Sequence, residues 1–574
     1  MSTPLLAING LRYTYRGQKR SALEGITLDV SPGEFVAIIG PSLAGKSTLA
    51  ACVNGLVPHF FKGSFQGDVR VLGRNTRECS VAQLSEDVGL VFQDFEAQLF
   101  STSVELEAAF GPENLGVAHD EIGRRIADSL GLVGLEGLRR RAPTTLSGGQ
   151  KQKLAIASVL AMKPRLLVMD EPTTDLDPAS KSGVLEIADK LRARPDAALM
   201  VVEHETEELL RADRILLLQE GKPIRCGPTA DVLREVELLK KLGVMPLGVT
   251  SYFSALGATP APLTPEDGVR EFQARGWGIA EDKYASLLAA DQARARSSAD
   301  VVIRCTGLEH AYAGGFKALQ GVDLEIRRGE MVAVVGQNGS GKTTLVKHFN
   351  GLLMPTAGNV DVDGAPTVKQ GIFNLGRKVG YVFQNPDHQI FCQTVFDEVA
   401  YTLRLRKLGE AEIRARVQEA LAAVNLSGLE QEDPFTLTKG GRQRVAVASV
   451  LAAKPDVIIL DEPTTGLDYA EQRGMMDLAR QLNRAGSTII FVTHHMWVVA
   501  EYSDRVVVVK DGRILMQGPT REVLACENEL ASANLRPPQI VRLSNRLGRM
   551  ALTVDELVAC TVVGQRHDGV VSRE

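Results

Sequence analysis

Two loops, Gly40-Pro41-Ser42-Leu43-Ala44-Gly45-Lys46-Ser47-Thr48 and Gly336-Gln337-Asn338-Gly339-Ser340-Gly341-Lys342-Thr343-Thr344, share the pattern G-x-x-x-x-G-K-[ST]. In such a loop the glycines let backbone N–H groups approach a polyphosphate such as that of ATP. The helix that follows adds partial positive charge, and the lysine reaches the β and γ phosphates. The hydroxyl of Ser47 or Thr343 is then placed to reach Mg²⁺. Asp170-Glu171 and Asp461-Glu462 each close an apolar run. There the aspartate can hold Mg²⁺ through water, and the glutamate can polarise an attacking water. His204 and His494 fall 34 and 33 residues after their aspartates, within reach of the γ-phosphate; a lone histidine at a strand end is otherwise structural. Gln93 and Gln384 follow Val-Phe in both copies and are candidates for Mg²⁺ binding or γ-phosphate sensing. Tyr15 and Tyr312 precede the loop lysines by 31 and 30 residues, where an aromatic ring either stacks on adenine or packs into the core.

These groups recur in one order and at one spacing. Gln93 to Leu146 and Gln384 to Leu437 both span 53 residues, and Leu146 to Asp170 and Leu437 to Asp461 both span 24. A duplicated domain follows, with a repeat offset of about 290 residues. Phe35 to Ile39 and Met331 to Val335 are short apolar runs feeding the glycine loops, the form of a buried parallel strand entering a helix. Leu166 to Met169, Val457 to Leu460, Leu199 to Val202 and Thr488 to Val492 read as further buried strands that end at candidate groups, as a doubly wound α/β plan requires. Asp120 to Leu132 and Ala411 to Ala423 read as helices inserted in each half. Leu263-Thr264-Pro265-Glu266-Asp267 has a counterpart at Leu552-Thr553-Val554-Asp555-Glu556, which marks a small appendix after each half. The expected division is 1–245, first ATP-binding domain; 246–298, its extension and linker; 299–527, second domain; and 528–574, second extension. The flexible join is expected near 293–300.

At 574 residues the chain exceeds a single core. A net charge of −5 argues against a general nucleic-acid binder. The seven cysteines are scattered with no C-x-x-C pair, which fits reduced thiols in the cytosol rather than a metal or redox site. Neither a secretory leader nor an apolar stretch of membrane-spanning length is expected, so any transport path must come from other chains.

Leu146-Ser147-Gly148-Gly149-Gln150, 24 residues before a strand-end aspartate, resembles the signature of ABC ATPases, and Leu437-Thr438-Lys439-Gly440-Gly441 is its counterpart. The resemblance covers nearly the whole chain. It implies two P-loop ABC nucleotide-binding domains, each with a RecA-like core, an antiparallel β subdomain and a helical subdomain, with small C-terminal extensions. In that family two such domains, in one chain or two, pair head to tail around two ATP molecules, so each phosphate loop faces the other half's signature. Phe383-Gln384-Asn385-Pro386-Asp387-His388-Gln389, its echo Phe92-Gln93-Asp94-Phe95-Glu96-Ala97-Gln98, and Phe110-Gly111-Pro112-Glu113-Asn114-Leu115-Gly116 look like the ATPase subunits of energy-coupling factor (ECF) importers. The first half lacks the Asn-Pro-Asp element. This narrower likeness implies an ATPase at the cytoplasmic face of the membrane. It would drive import of a vitamin or transition-metal ion through a membrane scaffold subunit and a small membrane substrate-binding subunit. Leu99, Phe100, Ile390 and Phe391 either line the grooves that grip such a scaffold or pack in the core. The tandem ATPase of a sugar importer shares the two-domain plan. A soluble ABC translation factor would want a long basic linker, which the Pro-interrupted, mixed-charge residues 246–298 do not provide.

Two departures fall together if the halves pair as the family does. Leu43-Ala44 stands where the second copy has Gly339-Ser340, and Thr438-Lys439-Gly440-Gly441 stands where the first has Ser147-Gly148-Gly149-Gln150. A positive φ at Gly339 would put strain of about 1 kcal/mol or more on Leu43. The resulting expectation is a faster site at Lys342/Glu462 and a slower one at Lys46/Glu171.

Overall fold

The computed structural model describes residues 3–173, 178–192, 194–295 and 300–563. Thr174, Asp175, Leu176 and Asp177, residues 296–299 of the expected flexible join, and 564–574 of the expected second extension lie outside them. The chain divides into two compact units, Met1–Leu247 with Asp468–Ala470, and Gly248–Leu467 with Glu471–Glu574.

In the first unit a six-stranded sheet runs Lys222–Pro228, Arg214–Gln219, Phe35–Ile39, Ala198–Val202, Leu166–Asp170, Val88–Val91. All neighbours are parallel except the edge pair Lys222–Pro228 and Arg214–Gln219. Phe35–Ile39, Leu166–Asp170 and Ala198–Val202 are buried at every position, which is why they read as unbroken apolar runs rather than alternating ones. Register aligns Asp170 with Val202, so the chemistry-bearing residues leave the sheet at its carboxyl edge. A second, antiparallel sheet has the order Leu23–Val30, Leu6–Tyr15, Gly63–Val71, Arg74–Asn75, and packs its apolar face into one core with the loop helix Lys46–Val53. Three helices, Val104–Asn114, His119–Val133 and Gly148–Leu160, pack on one another as the helical insert.

The second unit repeats this plan: Val379–Val382, Val457–Asp461, Thr488–Val492, Met331–Val335, Arg505–Lys510, Arg513–Pro519 in one sheet, and Lys317–Arg327, Val301–Ala311, Ala357–Val362, Ala365–Pro366 in the other. Val395–Leu405, Glu410–Ala423 and Lys439–Leu451 form its helical insert.

This unit also carries the segment that begins at Gly248. Gly248–Ala255, Pro265–Ala274 and Glu281–Ala295 pack with Gln539–Arg546 and Val554–Cys560, and Gly278–Ile279 pairs antiparallel with Thr561–Val562. Tyr252, Phe253, Phe272 and Trp277 form its aromatic centre, with Phe253 stacked on Trp277 at 5.4 Å and the Tyr252 hydroxyl 2.8 Å from Thr561 Oγ1. The two similar pentapeptides serve one purpose: Thr264 and Thr553 are the N-caps of Pro265–Ala274 and Val554–Cys560, each accepting a backbone N–H at 3.2 Å. The Arg521 guanidinium is buried here, bonded to Asp291, Glu556 and the Met550 carbonyl. Among the described residues no helix is long and apolar enough to cross a membrane.

Candidate nucleotide sites

Each glycine loop joins a buried central strand to a helix, Lys46–Val53 or Lys342–Lys347, through Gly45 (φ 95°) or Gly341 (φ 105°). At the loop entrance Gly40 and Gly336 both sit at φ 153°, and a Cβ there would land 2.2 Å from the Leu218 carbonyl oxygen or 2.1 Å from that of Val509. Only glycine lets the loop pass the neighbouring strand. Lys46 Nζ curls back to donate to the carbonyls of Gly40 and Pro41, both at 2.9 Å, and Lys342 Nζ does the same to Gly336 and Gln337 at 2.8 and 2.9 Å. Burial holds Lys46 below its ordinary pKa, partly opposed by Glu171 and Asp170. A polyphosphate in the loop would relieve that burial by supplying a counter-charge.

The strand-end carboxylates stand beside the loops. Thr343 Oγ1 donates to Asp461 Oδ1 at 3.1 Å, and Tyr381 OH donates to Asp461 Oδ2 at 2.5 Å. Asp170 differs, because its Oδ1 is buried with no hydrogen-bond partner. Burial pushes Asp170 up to about 6, against a side-chain hydrogen bond with Ser47, and burial raises Asp461 as well. An orphaned buried carboxylate oxygen beside a hydroxyl is a place that a hard cation fits. Among the described residues there is no group of three or more His, Cys, Asp or Glu side chains to cage a metal. Mg²⁺ itself keeps several waters and takes substrate phosphates with one or two protein oxygens.

Glu171 and Glu462 follow at φ 49° each, a left-handed conformation that a glutamate rarely adopts. Their backbone N–H groups still bond to the next strand, to Val202 and Val492 at 3.0 Å, so the turn aims the side chain out of the sheet at the point where the strand stops. His204 Nε2 lies 2.6 Å from Glu171 Oε1, and Gln93 Nε2 donates to Glu171 Oε2 at 2.6 Å. In the second half His494 Nδ1 lies 2.9 Å from Glu462 Oε2, whereas Gln384 is exposed and makes no hydrogen bond to Glu462 among the described residues. Burial works to raise Glu462, yet the pull of His494 and Lys342 holds it below its ordinary value. The structure thus groups loop lysine, hydroxyl, aspartate, glutamate and histidine in each half, and adds the glutamine in the first.

Neither tyrosine is fully buried, though Tyr15 packs against the core of the first unit and edge-on to Tyr13. Tyr312 is 42% exposed and Tyr15 half-buried, and each hydroxyl lies 3.0 Å from the threonine that ends its loop motif, Thr344 or Thr48. A tethered, accessible ring suits stacking on a base.

The signature residues open a helix in each half. Ser147 caps Gly148–Leu160 in a reciprocal box with Gln150, and Thr438 caps Lys439–Leu451 through the Gly441 N–H at 3.1 Å. With Gly441 in place of Gln150 the second box is one-sided. Lys439 lies against Gly466, where an added Cβ would fall 2.3 Å from Nζ. No described hydrogen bond joins Ser147, Gly148, Gly149 or Gln150 to the Lys46 loop.

Sequence reasoning missed Tyr381 and Glu203. Glu203, just before His204, is buried, accepts from Thr173 Oγ1 at 2.8 Å and from the His204 N–H at 3.2 Å, and is pushed by burial up to about 7. Aligning the copies pairs Glu203 with Thr493 and Tyr381 with Leu90, and those mismatches were the available signal.

The profile described as ABC transporter matches residues 23–174 and 319–465. An ABC transporter ATP-binding protein of Caldanaerobacter subterraneus subsp. tengcongensis is 54% identical over 98% of this chain and 99% of its own length. One of the same description from Methanosarcina acetivorans is 40% identical over 97% of this chain and 92% of its own. The solved structure of cbiO1 from Clostridium perfringens, described as part of the ABC transporter complex cbiONQ, matches at 38% identity and a TM-score of 0.38, over 44% of this chain and 100% of that one.

Proposed function

The chain belongs to the ABC transporter family, as a tandem ATPase, and on that premise we propose that it is the energy-coupling subunit of an ECF-type importer for a vitamin or transition-metal ion. ATP with Mg²⁺ is its substrate, and hydrolysis to ADP and phosphate is its reaction. Bound Mg²⁺ neutralises charge on the β and γ phosphates. Ser47 and Thr343 would hold it directly, Asp170 and Asp461 through water, and Gln93 and Gln384 complete the candidate set. The loop N–H groups from Gly40 to Thr48 and from Gly336 to Thr344 orient the polyphosphate, and Lys46 or Lys342 exchanges its loop carbonyls for phosphate oxygens. Glu171 and Glu462 accept a proton from the attacking water at a carboxylate oxygen, and His204 and His494 hold that carboxylate and the γ-phosphate in line. Tyr15 and Tyr312 carry the base. Head-to-tail pairing would complete each site with the opposite signature, Ser147 to Gln150 or Thr438 to Gly441.

The observation carrying the importer reading is a matched aromatic pair after each site glutamine. Phe100 and Phe391 are 63% and 61% exposed, and each meets an exposed ring on the next helix edge-on, Phe110 at 4.6 Å and Tyr401 at 4.7 Å. A buried glutamate pins each loop: Glu107 Oε2 accepts the N–H groups of Phe100 and Ser101, and Glu398 Oε2 those of Phe391 and Cys392. Ile390 is core and Leu99 half-buried, so the phenylalanines are the residues offered outward. Rigidly held, exposed rings suit a short amphipathic helix of a membrane scaffold.

The test is affinity purification of the full chain from gently solubilised membranes, with Phe100→Asp and Phe391→Asp beside it. A multi-spanning scaffold and a small membrane binding protein should co-purify with the parent and be lost with the double variant. Recovery of a sugar-type permease pair, or of ribosomes, would overturn the assignment.

A further inference from the structure

We propose that Tyr381 is a positioning residue for the Mg²⁺-binding carboxylate of the second half, and that it makes the Lys342 site the tighter of the two for the metal. The copies allow a comparison inside one chain. Leu90 and Tyr381 hold the same place, since Leu90 is in register with Val168 and Tyr381 with Ile459, each two residues before the strand-end aspartate. Tyr381 is 7% exposed and its ring is set edge-on to Phe383 at 5.0 Å, so its hydroxyl has little freedom to leave. That hydroxyl donates to Asp461 Oδ2 at 2.5 Å, within the short range of bonds to a carboxylate, while Thr343 Oγ1 holds Oδ1. Both oxygens are committed, which fixes the carboxylate plane. Leu90 offers no donor, and Asp170 is left with a buried oxygen that nothing holds.

A carboxylate that contacts the metal through water must point its free lone pairs at one place. Two donors, one on each oxygen, do this in advance, so less order remains to be created on binding. A merely structural role for Tyr381 would satisfy a buried carboxylate and change stability alone. Positioning changes metal affinity.

Mn²⁺ binding to the full chain, read by electron paramagnetic resonance with a non-hydrolysable ATP analogue, separates these roles. In a Lys46→Ala background, which leaves the second site loaded, Tyr381→Phe should weaken Mn²⁺ about tenfold, the scale of losing an outer-shell partner, while analogue affinity in metal chelator stays the same. In a Lys342→Ala background the same substitution should change nothing, and Leu90→Tyr should tighten Mn²⁺. If Tyr381→Phe does not fold, Tyr381→Leu carries the same reading, because leucine is what the first half holds there. Unchanged or tighter Mn²⁺ binding at the second site of the Phe or Leu variant would overturn the proposal, as would equal Mn²⁺ affinity at the two unmodified sites.

Discussion

Leu43 sits at φ 61°, in the same left-handed region as Gly339 at φ 78°, with its side chain 85% exposed. The loop keeps its shape and the leucine takes the strain, roughly 1–2 kcal/mol for a residue with a Cβ. Space is not the obstacle at this position, since a Cβ on Gly339 would meet nothing within 4 Å. Gly339→Ala should therefore lower stability by only about 1 kcal/mol and keep nucleotide binding. Gly336→Ala, whose Cβ would land 2.1 Å from the Val509 carbonyl oxygen, should abolish nucleotide binding at that site. Thermal melts and fluorescent-nucleotide titrations of the two variants decide it; similar losses from both would contradict the distinction.

The two glutamates proposed to take the water's proton are held differently, Glu171 by Gln93 and His204, Glu462 by His494. A glutamate tied by two neighbours is expected to turn over slowly. Steady-state ATPase of Glu462→Gln should fall further than that of Glu171→Gln. An equal or larger loss from Glu171→Gln would remove the proposed asymmetry.

Glu203 gives the first half a pH dependence at a position where the second holds the non-titrating Thr493. Burial, reinforced by Glu205 and opposed by Lys181, lifts its carboxyl from 4.5 to about 7. The folded state then binds the proton more tightly than the unfolded chain. Its stabilising share is complete below 4.5 and is lost as pH rises through about 7. Glu203→Gln should raise the first unit's melting temperature relative to the parent at about pH 8 and give no such gain near about pH 4.5. Scanning fluorimetry at both values is the check, and an equal gain at both would refute the linkage.

Arg521 ties Asp291 and Glu556 to the body of the second unit through a guanidinium that is itself buried. Removing a buried partner costs about 3–5 kcal/mol; with Asp291 and Glu556 partly exposed, Arg521→Met should cost nearer 2 kcal/mol. Limited proteolysis should then cut within Gly248–Ala295 sooner than in the parent. Unchanged cleavage would show that the aromatic centre holds this segment without the ion pairs.

What was legible in the sequence was what repeats locally. Phe35–Ile39 and Met331–Val335 have the expected bounds, and Asp120 to Leu132 and Ala411 to Ala423 lie inside the helices His119–Val133 and Glu410–Ala423. Unbroken apolar runs and a 3.6-residue period are properties of a short window, so no distant partner is needed to read them. Spacing also brought out the loop, carboxylate and histidine groups, because two copies supply their own control. Tyr381 escaped, since a tyrosine in a buried strand reads as one more apolar residue until the Asp461 oxygen opposite its hydroxyl is known. The left-handed turn at Glu171 and Glu462 escaped for a similar reason: the constraint comes from Val202 and Val492 on the adjacent strands, not from residues nearby in the chain.

The pairing of Gly278–Ile279 with Thr561–Val562 bears on how such a chain can be rebuilt. Residues that trail the first copy in the gene are folded with the tail of the second. Swapping one repeat for a relative's would strand half of a shared appendix unless both tails travel together. Evolutionary change in either tail is accordingly expected to be matched in the other.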